Sequence, residues 1–147
     1  MSDIIPTISS GIAGPLGVLH LPRLWQKASL GAVGKLHSDY PEAGAGFDQM
    51  TLDALGINRE TFLDYIKANK PSYTQLEQWI LDQKGGALDD AAVAQHHAPV
   101  VGYNHTDATR GAILQAVGIA DNGAILDAVN LNNLEDWQDF YAQQIQG

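Results

Sequence analysis

NRETFLDYIKANKPSYTQLEQWILDQKGG, residues 58–86, decides the fold class. Asn58 stands where a helix N-cap belongs, because its short side chain can accept from the first free backbone N–H groups. Phe62, Leu63 and Ile66 then recur at helical spacing, and Pro71 forces the chain to stop before it. Ser72 and Gln75 have the spacing of a capping box, which opens a second helix. That helix carries Tyr73, Leu76, Trp79 and Ile80 and is halted by Gly85 and Gly86. Two punctuated amphipathic helices in under thirty residues, with no strand-like alternation, predict an all-α protein.

The same grammar extends outward. Toward the amino terminus, Phe47 to Leu55 reads as a short helix stopped by Gly56. Before it lies a loop, His37 to Gly46, broken by Pro41, Gly44 and Gly46. Pro22 suits a first helical turn, and Leu21, Leu24, Trp25, Ala28 and Ala32 form one apolar stripe behind it. Residues Ile4 to Leu19 are apolar but broken by Pro6, Gly11, Gly14, Pro15 and Gly17, so they are expected to lie as an extended arm. Toward the carboxyl terminus, Asp89 to His97 reads as a weaker helix ended by Pro99, and Thr106 caps one carrying Ile113, Leu114 and Val117 up to Gly118. Gly123 to Val129 is expected to form a short helix. Asn132 or Asn133 is expected to cap the last one, with Leu134, Trp137, Tyr141 and Ile145 on one face. The expected architecture is a single compact domain of about seven or eight short helices, 19–147, preceded by the arm, 1–18. The segments GAILQAV (111–117) and GAILDAV (123–129) are alike, but two such short copies make no repeat architecture.

At 147 residues the chain fits one domain with a real core. It has no cysteine, which excludes disulfides, thiolate nucleophiles and thiolate metal sites and suits a reducing, cytoplasmic setting. Net charge is −9, and from Leu88 onward eight acids face Arg110 alone. Phosphate backbones and anionic lipid would be repelled, so neither nucleic acid nor membrane is an expected partner. The amino-terminal stretch lacks a positive n-region and does not read as a secretory signal. No run of about 18 apolar residues occurs to span a membrane.

Several clusters could carry chemistry. His20, Arg23 and Lys27 share one helix face and could focus an anionic ligand, although a solvated polar face with surface ion pairs is the plainer reading. Tyr103, Asn104, His105 and Asp107 precede and open a helix, with Arg110 at the start of its apolar face. An Arg there is either partly buried and paired or aimed into a pocket, and a helix amino terminus favours anions. Asp107 and Asn104 also fit ordinary capping and turn roles. His37, Asp39, Tyr40 and Asp48 could serve as acid–base groups, but their spacing is not diagnostic. His96 and His97 with His105 match no zinc signature, and no metal site is expected. Asn130, Asn132, Asn133 and Asp136 read as capping residues. Ser9, Ser10 and Gly11 form no nucleophile elbow and no GxSxG occurs. Gly44-Ala45-Gly46 lacks the lysine of a phosphate loop, so no motif names a cofactor.

From Leu19 to Trp79 the chain resembles a bacterial family known only as a domain of unknown function. Pro22, Arg23, Leu24 and Lys27 match its Pro-Arg-(Met/Leu)-x-x-Lys helix. Gly34, Lys35, Leu36 and Tyr40 match its Gly-Lys-Leu-x-x-x-Tyr turn. Gly46, Phe47 and Asp48, then Leu55 and Gly56, match the segments that follow. The resemblance implies a bacterial, soluble, helical protein, favours roles for Arg23, Lys27, Tyr40 and Asp48 beyond scaffold, and supplies no reaction.

Polar groups in loops beside apolar faces are the make-up of a pocket. The expected function is therefore a small-molecule-binding domain or enzyme acting on a small polar or anionic metabolite. Arg23, Lys27, Arg110, Asn104 and Tyr103 would bind it, and His105, Tyr40, Asp48 and Asp107 would supply acid–base chemistry. The alternative is a protein-interaction or self-association module whose apolar arm docks on a partner or on a second copy, giving a homo-oligomer in the latter case.

Overall fold

The structure, a computed structural model, describes residues 3–146. Among these residues seven α-helices follow one another: α1 (Leu21–Ala32), α2 (Phe47–Leu55), α3 (Arg59–Asn69), α4 (Tyr73–Gln83), α5 (Asp90–Gly102), α6 (Asp107–Val117) and α7 (Ala128–Phe140). A π-helical turn, Tyr141–Gln146, continues α7. Strand-like pairing among the described residues is confined to three isolated bridges, so the fold is all-α. No helix of the described residues is long and apolar enough to cross a membrane.

Helix boundaries fall where the local chemistry puts them. Asn58 accepts from Glu60 N and Thr61 N. Ser72 and Gln75 close a reciprocal capping box. Thr106 caps α6 through Thr109 N. Gly56 and Gly118 end α2 and α6 in the left-handed conformation that glycine adopts at least cost.

Three expectations are corrected. Pro99 does not end α5, which runs on to Gly102. A proline costs a helix one backbone bond and a clash with the carbonyl four residues back; full burial of Val100 holds the turn beyond it. Gly123–Val129 is a loop up to Asp127, since Gly123 takes a positive φ of 79°. The last helix starts at Ala128 and is capped by Asp127 through Asn130 N, so Asn132 and Asn133 lie inside it.

The main core joins α1 to α4 around Leu21, Leu24, Leu52, Phe62, Ile66, Leu76 and Ile80. A smaller cluster of Ile113, Leu114 and Leu131 joins α6 to α7, flanked by Ile125 and Leu134. Segment 3–20 lies over α1. Ile5 and Val18 are buried, Ile4 pairs with Leu36, and the Gln26 side chain receives Thr7 N and Ile8 N. Gly14 permits the approach to α4, where an added Cβ would stand 2.5 Å from the Tyr73 ring. Ile12 stays half exposed. Between the two apolar clusters a polar layer remains.

Candidate functional site

That layer begins on α1. His20, Arg23 and Lys27 share one face, yet they are 2%, 6% and 5% exposed. The solvated face that helical periodicity suggests is absent because the amino-terminal segment, α2 and α7 cover it and supply partners. Arg23 forks onto Asp136 of α7 at 2.6 and 3.1 Å and also donates to the Ile8 carbonyl at 2.9 Å. Its guanidinium lies 5.9 Å from the centroid of the Tyr40 ring. Lys27 Nζ donates to Asp48 Oδ2 at 2.6 Å.

Asp48, in the first turn of α2, is the hub. It accepts from Lys27, from the Gly44 backbone at 2.7 Å, and from His20 Nε2 at 2.5 Å. Burial alone would raise its pKa; the His20 hydrogen bond and the Lys27 charge outweigh burial and hold it at about 2. The carboxylate is therefore ionised at neutral pH. Burial lowers the His20 pKa against the pull of Asp48, which keeps the imidazole neutral. Lys27 is likewise lowered by burial and opposed by Asp48. With Nε2–H given to Asp48, His20 Nδ1 is the acceptor for Ser10 Oγ, 2.9 Å away and itself buried.

His20 also sits at φ 72°, the left-handed region, at the N-cap of α1. A non-glycine residue there costs about 1–2 kcal/mol. Its side chain makes no capping bond; the imidazole is committed to Ser10 and Asp48 instead.

These groups form one wall of a cavity of about 510 Å³ between α1, α2 and α7. Ser10, His20, Arg23, Lys27 and Asp48 stand on that side. Phe47 and Met50 of α2, Tyr40 of the α1–α2 loop, Tyr103 and His105 of the α5–α6 loop, and Asn132 and Glu135 of α7 complete it. Phe47 packs edge-on against both His20 and Tyr103, at centroid distances of 5.5 and 5.6 Å. His105 Nε2 donates to Asn132 Oδ1 at 2.9 Å. Tyr40 donates to Asp139 at 2.9 Å and Asp136 at 3.1 Å. Burial first, then Asp136, pushes its pKa far up, so the phenol is a fixed donor rather than a base. Glu135 is raised by burial and by the neighbouring Asp139 and Asp136.

Of the residues named from sequence, Arg23, Lys27, Tyr40, Asp48, Tyr103 and His105 meet at this cavity. Asn104, Asp107 and Arg110 lie apart from it. Asn104 is engaged through its backbone in a bridge to Asp127. Arg110 takes the paired alternative, donating to Asp107 at 2.9 Å and Asp121 at 3.1 Å. His96 and His97 also lie elsewhere: their Nε2 atoms meet the carbonyls of Leu19 and Gly17 at 2.9 and 2.7 Å and pin the segment before α1. Among the described residues no three His, Asp or Glu side chains converge as a metal site would require. Ser10, Asn132, Glu135 and Asp136 joined the site without having been singled out for it, and His20 enters as a hydrogen-bonding hub rather than a surface cation. The visible signal is the acid-rich face of α7, readable only once Asp136 is known to meet Arg23 of α1.

The model of the family described as a domain of unknown function (DUF5069) matches residues 11–137, and the chain belongs to that family. The match reaches well past Trp79 and includes α7, so all the cavity residues named above except Ser10 fall inside it. No curated protein and no solved structure matches the chain.

Proposed function

We propose that this DUF5069 protein binds a small polar metabolite in the cavity between α1, α2 and α7 and performs acid–base chemistry on it. One observation carries the reading: His20, Lys27 and Asp48 are all at least nine-tenths buried, His20 and Lys27 each bond to Asp48, and all three line a cavity of about 510 Å³. That volume lies in the range of metabolite sites, roughly 300–1,000 Å³. Buried ion pairs add little stability over apolar packing, so their placement at a cavity wall favours a role in binding or catalysis.

The electrostatics favour a polar ligand over the anionic one. Arg23 and Lys27 are each already neutralised by a carboxylate at 2.6 Å. Asp39, Asp48 and Glu135 line the same space. Phe47 and Tyr103 bring aromatic rings to the lining, and His105 supplies a polar contact and a candidate proton carrier. Asn104, Asp107 and Arg110 are not part of this proposal. Nucleic acid and membrane surfaces remain poor partners for a chain of net charge −9, and a cysteine-free composition fits the cytoplasm.

The test compares two alanine variants against a panel of polar metabolites, read by thermal shift and native mass spectrometry. His105→Ala is expected to weaken the wild-type ligand about tenfold or more, and Arg110→Ala to leave it unchanged. Equal loss in both, or no ligand for the wild type across the panel, defeats the proposal.

A second reading, self-association, rests on one groove. Ile12, Trp137 and Phe140 line it together, at 51%, 64% and 46% exposure. A large exposed apolar cluster marks contact surfaces. Trp137→Ser is then expected to halve the mass seen by light scattering; a wild type that is already monomeric at high concentration removes this reading.

A further inference from the structure

We propose that Ser10 is a nucleophile, activated by His20 and Asp48, and that the cavity is the site of an acyl-transfer reaction on a small, uncharged carboxylic ester. The inference rests on the ligand-binding reading of the same cavity and adds a reaction to it.

The geometry is that of a relay. Ser10 Oγ is 2.9 Å from His20 Nδ1, and His20 Nε2 is 2.5 Å from Asp48 Oδ1. An ionised Asp48 fixes the tautomer: it holds the Nε2 proton and leaves Nδ1 free to accept the serine proton. The ring faces its partners the opposite way round from the usual serine triad, with Nδ1 toward the hydroxyl. Proton transfer needs only one ring nitrogen on each partner, so the roles are unaffected. Lys27 and the Gly44 N–H hold the second oxygen of Asp48, so the carboxylate is oriented as well as charged. Burial keeps the imidazole neutral and so competent as a base. His20 holds this position in a left-handed backbone conformation, a strain of the kind found at functional sites.

Ser10 is only 2% exposed, yet it lines the cavity, as do Gly46 and Phe47 at the start of α2. No side chain caps α2, whose first residues, Gly46 and Phe47, line the cavity with Ser10. The uncapped N–H groups of a helix start are donors of the kind that would stabilise the charge gained by an attacked carbonyl oxygen. Both cavity cations are already paired, which suits an uncharged acyl substrate.

The steps balance. Ser10 Oγ bonds to the ester carbonyl carbon as His20 Nδ1 takes its proton. The carbon–oxygen bond to the alcohol breaks, and His20 returns the proton to the departing alkoxide. Water then attacks the acyl-serine, giving a proton to His20 and releasing the carboxylic acid; the proton passes back to Ser10. No oxidant or cofactor takes part.

The test is covalent labelling of the full chain by a small alkyl fluorophosphonate, followed by intact mass and peptide mapping, alongside hydrolysis of p-nitrophenyl acetate. One adduct on Ser10 is expected. His20→Ala should slow labelling and hydrolysis about 10²–10⁴-fold, Ser10→Ala should abolish the adduct, and Ser9→Ala should keep it. Circular dichroism melting identifies any variant that has lost its fold. Should Ser10→Ala unfold, the unmodified wild type and the map of its adduct still decide the matter. An adduct elsewhere, or none, overturns the nucleophile. If polar metabolites still shift the melting temperature of an unlabelled wild type, the binding reading survives that failure; if none does, both fall.

Discussion

Replacing Asp48 by Asn removes one charge from the centre of the polar layer and changes almost nothing in shape. Asp48 is 3% exposed and accepts from Lys27, His20 and Gly44. The amide can accept at only one of its two polar atoms, so His20, or Lys27 and Gly44 together, lose their acceptor, and Lys27, 5% exposed, becomes a buried charge without its carboxylate. Breaking one side of a buried pair costs about 3–5 kcal/mol. At ~2–4 °C per kcal/mol for a chain of this size, Asp48→Asn should melt about 6–20 °C below wild type. Adding Lys27→Met removes the orphaned charge and should recover most of the loss, leaving about 1–2 kcal/mol from the donors on His20 and Gly44. Acid unfolding supplies an independent check. Asp48 titrates at about 2 in the fold against 3.8 as a free side chain, so it contributes about 2 kcal/mol above pH 3.8 that is lost as pH falls toward 2. The variant should lack that portion of the acid limb. Urea and thermal melts of the two variants measure both effects. A single-variant loss under about 1 kcal/mol, or a double variant no better than the single, would refute a buried, coupled Lys27–Asp48 pair.

His20 and His96 are both lowered below 6.5, in each case chiefly by burial. The unfolded chain then takes up protons first as pH falls through 6.5, so stability should decline below that value rather than rise. The urea midpoint should be lower at pH 5.5 than at pH 7.5, with a shallower decline in His96→Gln; an unchanged midpoint would count against both burials. Ser72→Ala deletes the capping box of α4 and should cost about 1 kcal/mol, read from the urea midpoint. A value near zero would show α4 held by Leu76 and Ile80 alone.

Most of the fold was legible because its signals are local. Asn58, Ser72, Thr106, Gly56 and Gly118 act within one turn of themselves, and each stands at the helix end its type predicts. The misread element shows the limit. GAIL at 111–114 is helical, while GAIL at 123–126 is loop, because Gly118 and Gly123 turn the chain between them and Asp127 is the better cap. Ile125 still reaches the small core, so apolar spacing alone could not distinguish the two. The site was legible only in pieces. Periodicity assigns His20, Arg23 and Lys27 to one face but says nothing of what covers it. Their partners lie 28, 113 and 21 residues away.

The cost of this arrangement is the strongest argument that it serves a purpose. An apolar filling of the same space would hold α1 against α2 and α7 at least as well, since a buried ion pair is commonly matched or exceeded by well-packed hydrophobic side chains. Here two cations, two carboxylates and a strained histidine occupy the boundary between two apolar clusters. The two pairs are not equivalent. Arg23 and Asp136 tie α1 to α7 and also fix Tyr40, which gives them a scaffold role sufficient to explain them. Lys27, Asp48, His20 and Ser10 form a chain that ends on a hydroxyl at the cavity. A buried hydroxyl needs a partner in any network, but this one also lines the cavity. This asymmetry directs the functional proposal to the Asp48 side of the layer and leaves the Arg23 side as the frame that holds it.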